Sequence, residues 1–412
     1  MVPATLPNGD PAPRDGALPP DALDGLGERP FGFYVHVPFC EVRCGYCDFN
    51  TYTARELGGG KGASRDSYAD SAIAEIRLAR RVLGDRPLAV DSVFFGGGTP
   101  TLLAAEDLVR VVTAIRDEFG LAGDAEITAE SNPDSVDDEG LRTLAAGGFN
   151  RLSLGVQSVR QHVLDVLDRT HDPARVPCVV AWARAAGVPQ INIDLIFGTP
   201  GESLMDWKAS LEAALALQPD HVSAYSLIVE SGTALARRIA RGELRMTDED
   251  DLADKYLMAD QVFGASGFSW YEVSNWSRDL ASRSRHNMAY WTGGDWWGVG
   301  PGAHSHINGT RWWNVKHPVA YAAHIEAGRS PAAGREVLAA GSRRVEQVML
   351  GVRLADGLAV ETLDAVALRA AFDVAGRGLI DPDELEGGRV VLTQQGRLLA
   401  DAVVRELLAS RL

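Results

Sequence analysis

Between residues 31 and 228 six short apolar runs of strand length alternate with stretches that carry apolar residues at helical spacing. The strand runs are 31–37, 89–95, 125–129, 151–156, 190–196 and 221–228. The helical stretches are 67–83, 106–119, 138–146, 161–167, 174–186 and 204–217. Strands that follow one another in parallel need such crossovers, so the alternation points to an α/β sheet with helices on its outside. Six units imply a sheet curved into a partial barrel, with ligands at the carboxyl ends of the strands.

The residues at those ends carry chemistry. After the first run Pro38 stops the ladder, and Cys40, Cys44 and Cys47 follow as a CxxxCxxC array. Three thiolates so close can hold three irons of a [4Fe–4S] cluster and leave the fourth open to another molecule. A structural zinc site is the competing reading, but it needs a fourth ligand and usually two CxxC pairs or a distant histidine pair. The remaining cysteine, Cys178, sits in an apolar helical stretch and reads as a small buried hydrophobe. Phe94-Phe95 runs into Gly96-Gly97-Gly98-Thr99-Pro100, where missing side chains let a ligand approach the backbone; a tight turn is the plain alternative. Glu130 and Gln157 end the next two runs, and Asp194 lies in the fifth. A carboxylate there can accept from ribose hydroxyls, while Gln157, Arg169 and Asp194 together can engage a polar, charged ligand. Two of these have bland readings too: Glu130 as a helix cap and Arg169 as a surface base.

The cysteine array, with Tyr46 just before its third cysteine, resembles the signature of the radical S-adenosylmethionine (SAM) superfamily. The resemblance implies a [4Fe–4S] cluster on Cys40, Cys44 and Cys47, SAM on the open iron, and an electron donor for the cluster. The GGGTP stretch is similar to the superfamily's motif for the SAM amine. By order and context, Tyr34, Gly97 and Glu130 resemble the first SAM site of the oxygen-independent coproporphyrinogen III oxidase family. Tyr46, Gly98, Thr99, Gln157, Arg169 and Asp194 resemble its second, and the likeness covers residues 31–330 before weakening.

Two features depart from the oxidase branch. Phe49 stands where the oxidases carry a further cysteine, and only a Pro-rich tail precedes the first strand, with no folded arm to close over a porphyrin. Both resemble the HemW branch of heme chaperones, which deliver heme to acceptor proteins. The implied function is heme binding and transfer by a protein carrying a cluster and SAM. The alternative is an oxygen-independent coproporphyrinogen III oxidase or another radical SAM tetrapyrrole enzyme. Whether SAM is cleaved or only bound is left open, and with it whether the chain is an enzyme.

The densest aromatic region, residues 285–306, bears on that choice. His286-Asn287-Met288-Ala289-Tyr290-Trp291 is an HNxxYW similar to the HemW heme-binding motif. It makes His286 the candidate iron ligand, with Tyr290 one helical turn away on the same face. His304 and His306, in a glycine-rich turn expected to expose them, are second choices. A core of aromatics with satisfied histidines is the other reading.

Composition sets the surroundings. The chain is 46% hydrophobic and 23% charged, which is ordinary for a folded globular protein, and four cysteines suit a reducing compartment. It shows neither a run of about eighteen apolar residues nor a secretory layout at its start. The expectation is a cytoplasmic protein whose membrane contact is peripheral and only through an acceptor. A formal net charge of −16, from 40 Lys and Arg against 56 Asp and Glu, argues against nucleic-acid binding. Residues 1–29, rich in Pro and Gly, read as a disordered tail, 30–240 as the barrel and 241–334 as an aromatic, His-rich connecting region. Residues 335–412 read as a mainly helical, winged-helix-like domain with a hairpin-like piece at 388–397. The glycine-rich 57–63 is either a flap beside the cluster or a tolerated surface insertion.

Overall fold

A computed structural model of the chain describes residues 8–58 and 64–409. β1 (Phe31–Val37) leads through Pro38 into β2 (Phe39–Cys40), which pairs in parallel with β3 (Tyr52–Thr53), and one turn of helix, α1 (Ala54–Leu57), follows. The next units are α2 (Arg65–Leu83), β4 (Val90–Gly97), α3 (Ala105–Phe119), β5 (Leu121–Ser131), α4 (Asp138–Ala146) and β6 (Arg151–Gln157). They continue with α5 (Gln161–Val166), α6 (Val176–Ala185), β7 (Gln190–Phe197), α7 (Leu204–Ala216) and β8 (His221–Ser226). The expected six-unit α/β arrangement forms: β1, β4, β5, β6, β7 and β8 lie side by side in that order, all parallel.

Helix α2 shows why. Ser64 caps it by accepting from the Asp66 amide, and Gly84, at φ 74°, ends it. Between them Tyr68, Ala72, Ile76, Ala79 and Leu83 recur every three or four residues and bury one face on the sheet. On β1 the alternate residues Phe31, Phe33, Val35 and Val37 meet that face. Residues of the opposite parity, Tyr34 and His36, therefore turn inward.

The sheet does not stop at six strands. After α8 (Ala234–Ala240) and α9 (Glu249–Ala265), β9 (Ser269–Glu272) and β10 (Asn275–Ser277) extend it antiparallel beyond β8. α10 (Arg285–Trp291) follows, and β11 (Asp295–Val299) then joins the far side, parallel to β1. β12 (His304–Ile307), β13 (Thr310–Asn314), α11 (Pro318–Glu326) and β14 (Ala332–Val337) continue from it, the strands antiparallel. The stretch expected to be a connecting region thus supplies half of a 12-stranded sheet, in the order β14-β13-β12-β11-β1-β4-β5-β6-β7-β8-β10-β9. Its strands are short and mix Trp, His and Gly, so no clean alternation marks them.

The expected disordered tail needs a correction as well. Its residues 1–7 lie outside the described residues, but 8–29 pack along the β14 edge. Asp10 and Arg335 exchange backbone hydrogen bonds of 2.8 and 2.9 Å, and Leu18, Leu23 and Leu26 join the core. Its prolines limit regular structure to one 3-10 turn, Pro20–Leu23, without preventing the segment from covering an edge strand. Of the glycine-rich 57–63, residues 59–63 lie outside the described residues.

The C-terminal part comprises α12 (Ala340–Gly351), β15 (Leu358–Ala359), α13 (Ala365–Gly376), α14 (Pro382–Glu386), β16 (Arg389–Val390), α15 (Gln394–Leu398) and α16 (Ala400–Leu407). It is mainly helical, with its own core. The hairpin expected at 388–397 does not form: β16 pairs with β15, and Thr393 caps α15 instead. This unit ties the two flanks of the sheet together. The Ala355 amide donates to Tyr271 O on β9 at 2.9 Å, and Arg311 on β13 reaches Glu346 on α12 at 2.7 Å. Among the described residues no helix is long and apolar enough to cross a membrane.

Candidate functional site

The cysteine loop lies at the carboxyl end of β1 and is fixed from three sides. Gly45 N donates to Leu167 O at 3.0 Å, Leu235 N donates to Gly45 O at 2.8 Å, and Thr99 N donates to Phe39 O at 2.7 Å. A Cβ on Gly98 would run into the Phe39 carbonyl and sit 3.0 Å from Cys40 Sγ, so only glycine fits against the thiols. Arg169, expected by one reading on the surface, is 9% exposed and donates through Nη1 to Cys44 Sγ at 3.6 Å. Burial, with Cys47 and Cys44 adding to it, pushes the Cys40 thiol up to about 12, and burial moves Cys47 the same way. Thiols in such a place become thiolates when metal charge is supplied. Among the described residues no three His, Cys, Asp or Glu converge as they would about a single ion.

Next to the loop, the ends of β4 to β7 present a polar shelf. Gly97 N donates to Glu130 Oε2 at 3.1 Å, so that carboxylate bridges two strands and is not a cap. The helical turn after it is capped by Asn132, and α4 by Asp137. Burial first and Asp194 second raise Glu130 to about 7. Asp194 accepts from Ser153 at 2.7 Å and from Asn192 at 2.8 Å, and burial raises it too. Thr99 Oγ1 accepts from Asn132 Nδ2 at 3.1 Å. Gln157 has φ 64°, a left-handed backbone that a non-glycine residue adopts at a cost, and its buried Oε1 has no partner. Arg169 Nε is likewise buried and unpartnered, although Nη2 reaches Gly155 O at 2.5 Å. Buried polar atoms without partners are what a polar ligand would satisfy, so these residues fit SAM. Tyr46 packs with Leu167 and Val163, and burial, then Cys44, push its phenol well up.

Three contributors were not singled out from the sequence. His36, fully buried, accepts from the Tyr34 hydroxyl at 3.0 Å and donates to Asn50 O at 2.9 Å. Its inward parity with Tyr34 was the signal available. Asn132 steadies Thr99 as above. His171, 3% exposed, has neither ring nitrogen partnered, and burial lowers it to about 4. Cys178, expected to be buried, is exposed, because the buried face of α6 is made by Val176, Val179, Val180 and Ala183.

Beneath the shelf, α10 enters the barrel. It does bring His286 and Tyr290 together, with ring centroids 4.6 Å apart. Yet His286 is 4% exposed, its ring stacked on Phe94 and lying beside Tyr34, which itself neighbours Phe94 at 6.3 Å, and burial lowers the imidazole to about 3. His304 and His306 are not on an exposed turn. Gly300 N donates to the buried Glu75 at 2.8 Å, which draws that turn under α2. His306 donates from Nδ1 to Gly294 O and accepts from Gly309 N at Nε2, both 2.9 Å, so its ring is satisfied. His304 donates from Nδ1 to Gly302 O at 3.1 Å, while its Nε2 is buried without a partner.

Residues 34–214 match the family described as the Radical SAM superfamily. The chain is 50% identical over 392 residues to the heme chaperone HemW of Mycobacterium tuberculosis, a match covering 94% of this chain and 98% of that one. The chain belongs to the HemW family. The heme chaperone HemW of Bacillus subtilis is 33% identical over 379 residues, covering 90% and 97% of the two chains. Among solved structures, coproporphyrinogen III oxidase HemN of Escherichia coli, a radical SAM enzyme, is 25% identical with a TM-score of 0.79, over 94% of this chain and 92% of that one. This HemW-family chain thus has the radical SAM fold, and with it the superfamily's cofactors, a [4Fe–4S] cluster and SAM.

Proposed function

We propose that the protein is a heme chaperone that binds heme and passes it to an acceptor protein. The observation that carries this is 50% identity, over nearly the full length of both chains, to a protein described as a heme chaperone. In this reading Cys40, Cys44 and Cys47 hold the cluster, which when bound supplies an electron and an open iron position. Gly97, Glu130 and Tyr34 hold one SAM. Gly98, Thr99, Gln157, Arg169, Asp194 and Tyr46 form a second SAM site beside it. Arg169 keeps positive charge against Cys44, and the unpartnered Gln157 Oε1 and Arg169 Nε are satisfied by the ligand. His286 is the heme ligand, reached when α10 lifts its ring off Phe94 and away from Tyr34. An electron donor and a heme acceptor complete the set, with no nucleic acid, and the unpaired cysteines suit the cytoplasm.

Radical chemistry on a tetrapyrrole is the second reading, favoured by the likeness to HemN. Anaerobic reconstitution followed by two assays separates them. Heme titration should give a Soret band that moves to an added apo-heme protein, while coproporphyrinogen with SAM and a reductant should stay unconverted. Steady formation of protoporphyrinogen, or no heme binding, would overturn the chaperone reading.

A further inference from the structure

We propose that Tyr271 is a positioning residue that links the start of α10 to the Asp194 carboxylate, so that SAM binding and the packing of the His286 helix are coupled. The link is a polarised path of hydrogen bonds through the floor of the barrel, branching at Asn192 Nδ2, which also donates to Ser153 Oγ at 2.6 Å and Ser223 Oγ at 3.3 Å. Ser284 N donates to the Tyr271 hydroxyl at 3.2 Å, and that hydroxyl donates to His221 Nε2 at 2.7 Å. The proton of His221 is then on Nδ1, which donates to Asn192 Oδ1 at 2.5 Å. Asn192 Nδ2 donates in turn to Asp194 Oδ1 at 2.8 Å. Every donor points the same way, and each group uses the one tautomer or orientation that the next requires. Tyr271 is 0% and His221 1% exposed, so water does not substitute for a missing member.

The upper end of the chain is the SAM-site carboxylate and the lower end is the cap of α10, since Ser284 also accepts from Asn287 N. α10 has seven residues, too short to hold itself as a helix, so contacts at its first turn decide where it sits. Those contacts are Tyr271, the Glu126 carboxylate, which accepts from Arg285 N at 3.2 Å and His286 N at 3.3 Å, and at the surface Asp124, which pairs with Arg285 at 2.6 Å. A ligand that engages Asp194 redistributes the hydrogen bonds of Asn192 and His221, and the change reaches the amides of α10 without any contact to them.

The inference rests on the placement of Asp194 in the SAM site proposed above. Its test is backbone hydrogen exchange across residues 284–291 of the reconstituted full-length protein, with and without SAM. In the wild type SAM should slow exchange there by roughly fivefold. Tyr271→Phe keeps the ring against His221 and under Arg283 but lacks the hydroxyl, so it should bind SAM and lose the slowing. His221→Gln, which breaks the chain at its middle, should do the same. Slowing that persists in both variants, or that is missing from the wild type while Asp194→Asn weakens SAM binding, overturns the coupling alone. Asp194→Asn that binds SAM as tightly as the wild type overturns the coupling together with the site assignment beneath it.

Discussion

The imidazole of His286 lies nearly parallel to the ring of Phe94, with centroids 4.4 Å apart and planes 15° apart, and Tyr34 stacks on the same ring at 5.7 Å. To ligate heme iron that ring must leave its stack, and each aromatic pair contributes about 0.5–1.5 kcal/mol. Phe94→Leu keeps the strand apolar but removes one partner, so heme affinity should rise by up to about tenfold. His286→Ala should lower the affinity and shift the Soret band. If a heme titration finds affinity unchanged in the first and the spectrum unchanged in the second, iron is held elsewhere, and His304 with its unpartnered Nε2 is the next residue to replace.

Cysteine replacement should divide the four thiols three to one. Cys40→Ala, Cys44→Ala and Cys47→Ala should each lose iron, sulfide and visible absorbance after reconstitution, because two thiolates do not retain a cubane. Cys178→Ala should retain all three signals, since its thiol faces solvent on the outer helix α6.

Gln157 pairs backbone strain with an unsatisfied side chain, so stability and binding should part company there. Gln157→Gly relieves the left-handed φ and should raise the unfolding free energy by about 1 kcal/mol. SAM affinity should fall in the same variant, since Oε1 is lost from the site. A thermal melt and an equilibrium titration on one preparation read both, and an unchanged affinity would remove Gln157 from the site.

Glu130 should make stability depend on pH in the less usual direction for a carboxylate. Its folded value, about 7, lies above the ordinary 4.5, so the folded protein holds a proton that the unfolded chain releases. Its contribution is complete below about pH 4.5 and is lost as pH rises to about 7, amounting to about 3 kcal/mol. Glu130→Gln should flatten that part of the denaturation-midpoint profile between pH 5 and about 7. A variant profile parallel to the wild type would show that burial does not hold the proton.

Much of the barrel was legible because its signals are local. Apolar alternation on β1 and helical spacing on α2 and α4 need only neighbouring residues, and the bounds expected for them agree closely with the elements formed. The same holds for the thiol loop: Pro38 ends the strand and places three cysteines at its carboxyl end whatever the rest of the chain does. Signals that depend on rotation about an axis were less readable. Cys178 lies in an apolar helix, but its phase relative to the sheet turns it outward.

By itself, the sequence determined the succession of the six parallel strands and their helices, the three thiols and the strand-end polar groups, since each follows from backbone preference and side-chain chemistry within a few residues. Tertiary structure alone decided that β11 lies beside β1, that the segment starting at Asp10 covers the β14 edge, and that His286 stacks on Phe94 beside Tyr34. Each of those facts joins segments far apart in the chain. Their pairing is selected by which exposed edge or apolar face is left to cover, and that is settled only when the whole sheet has formed.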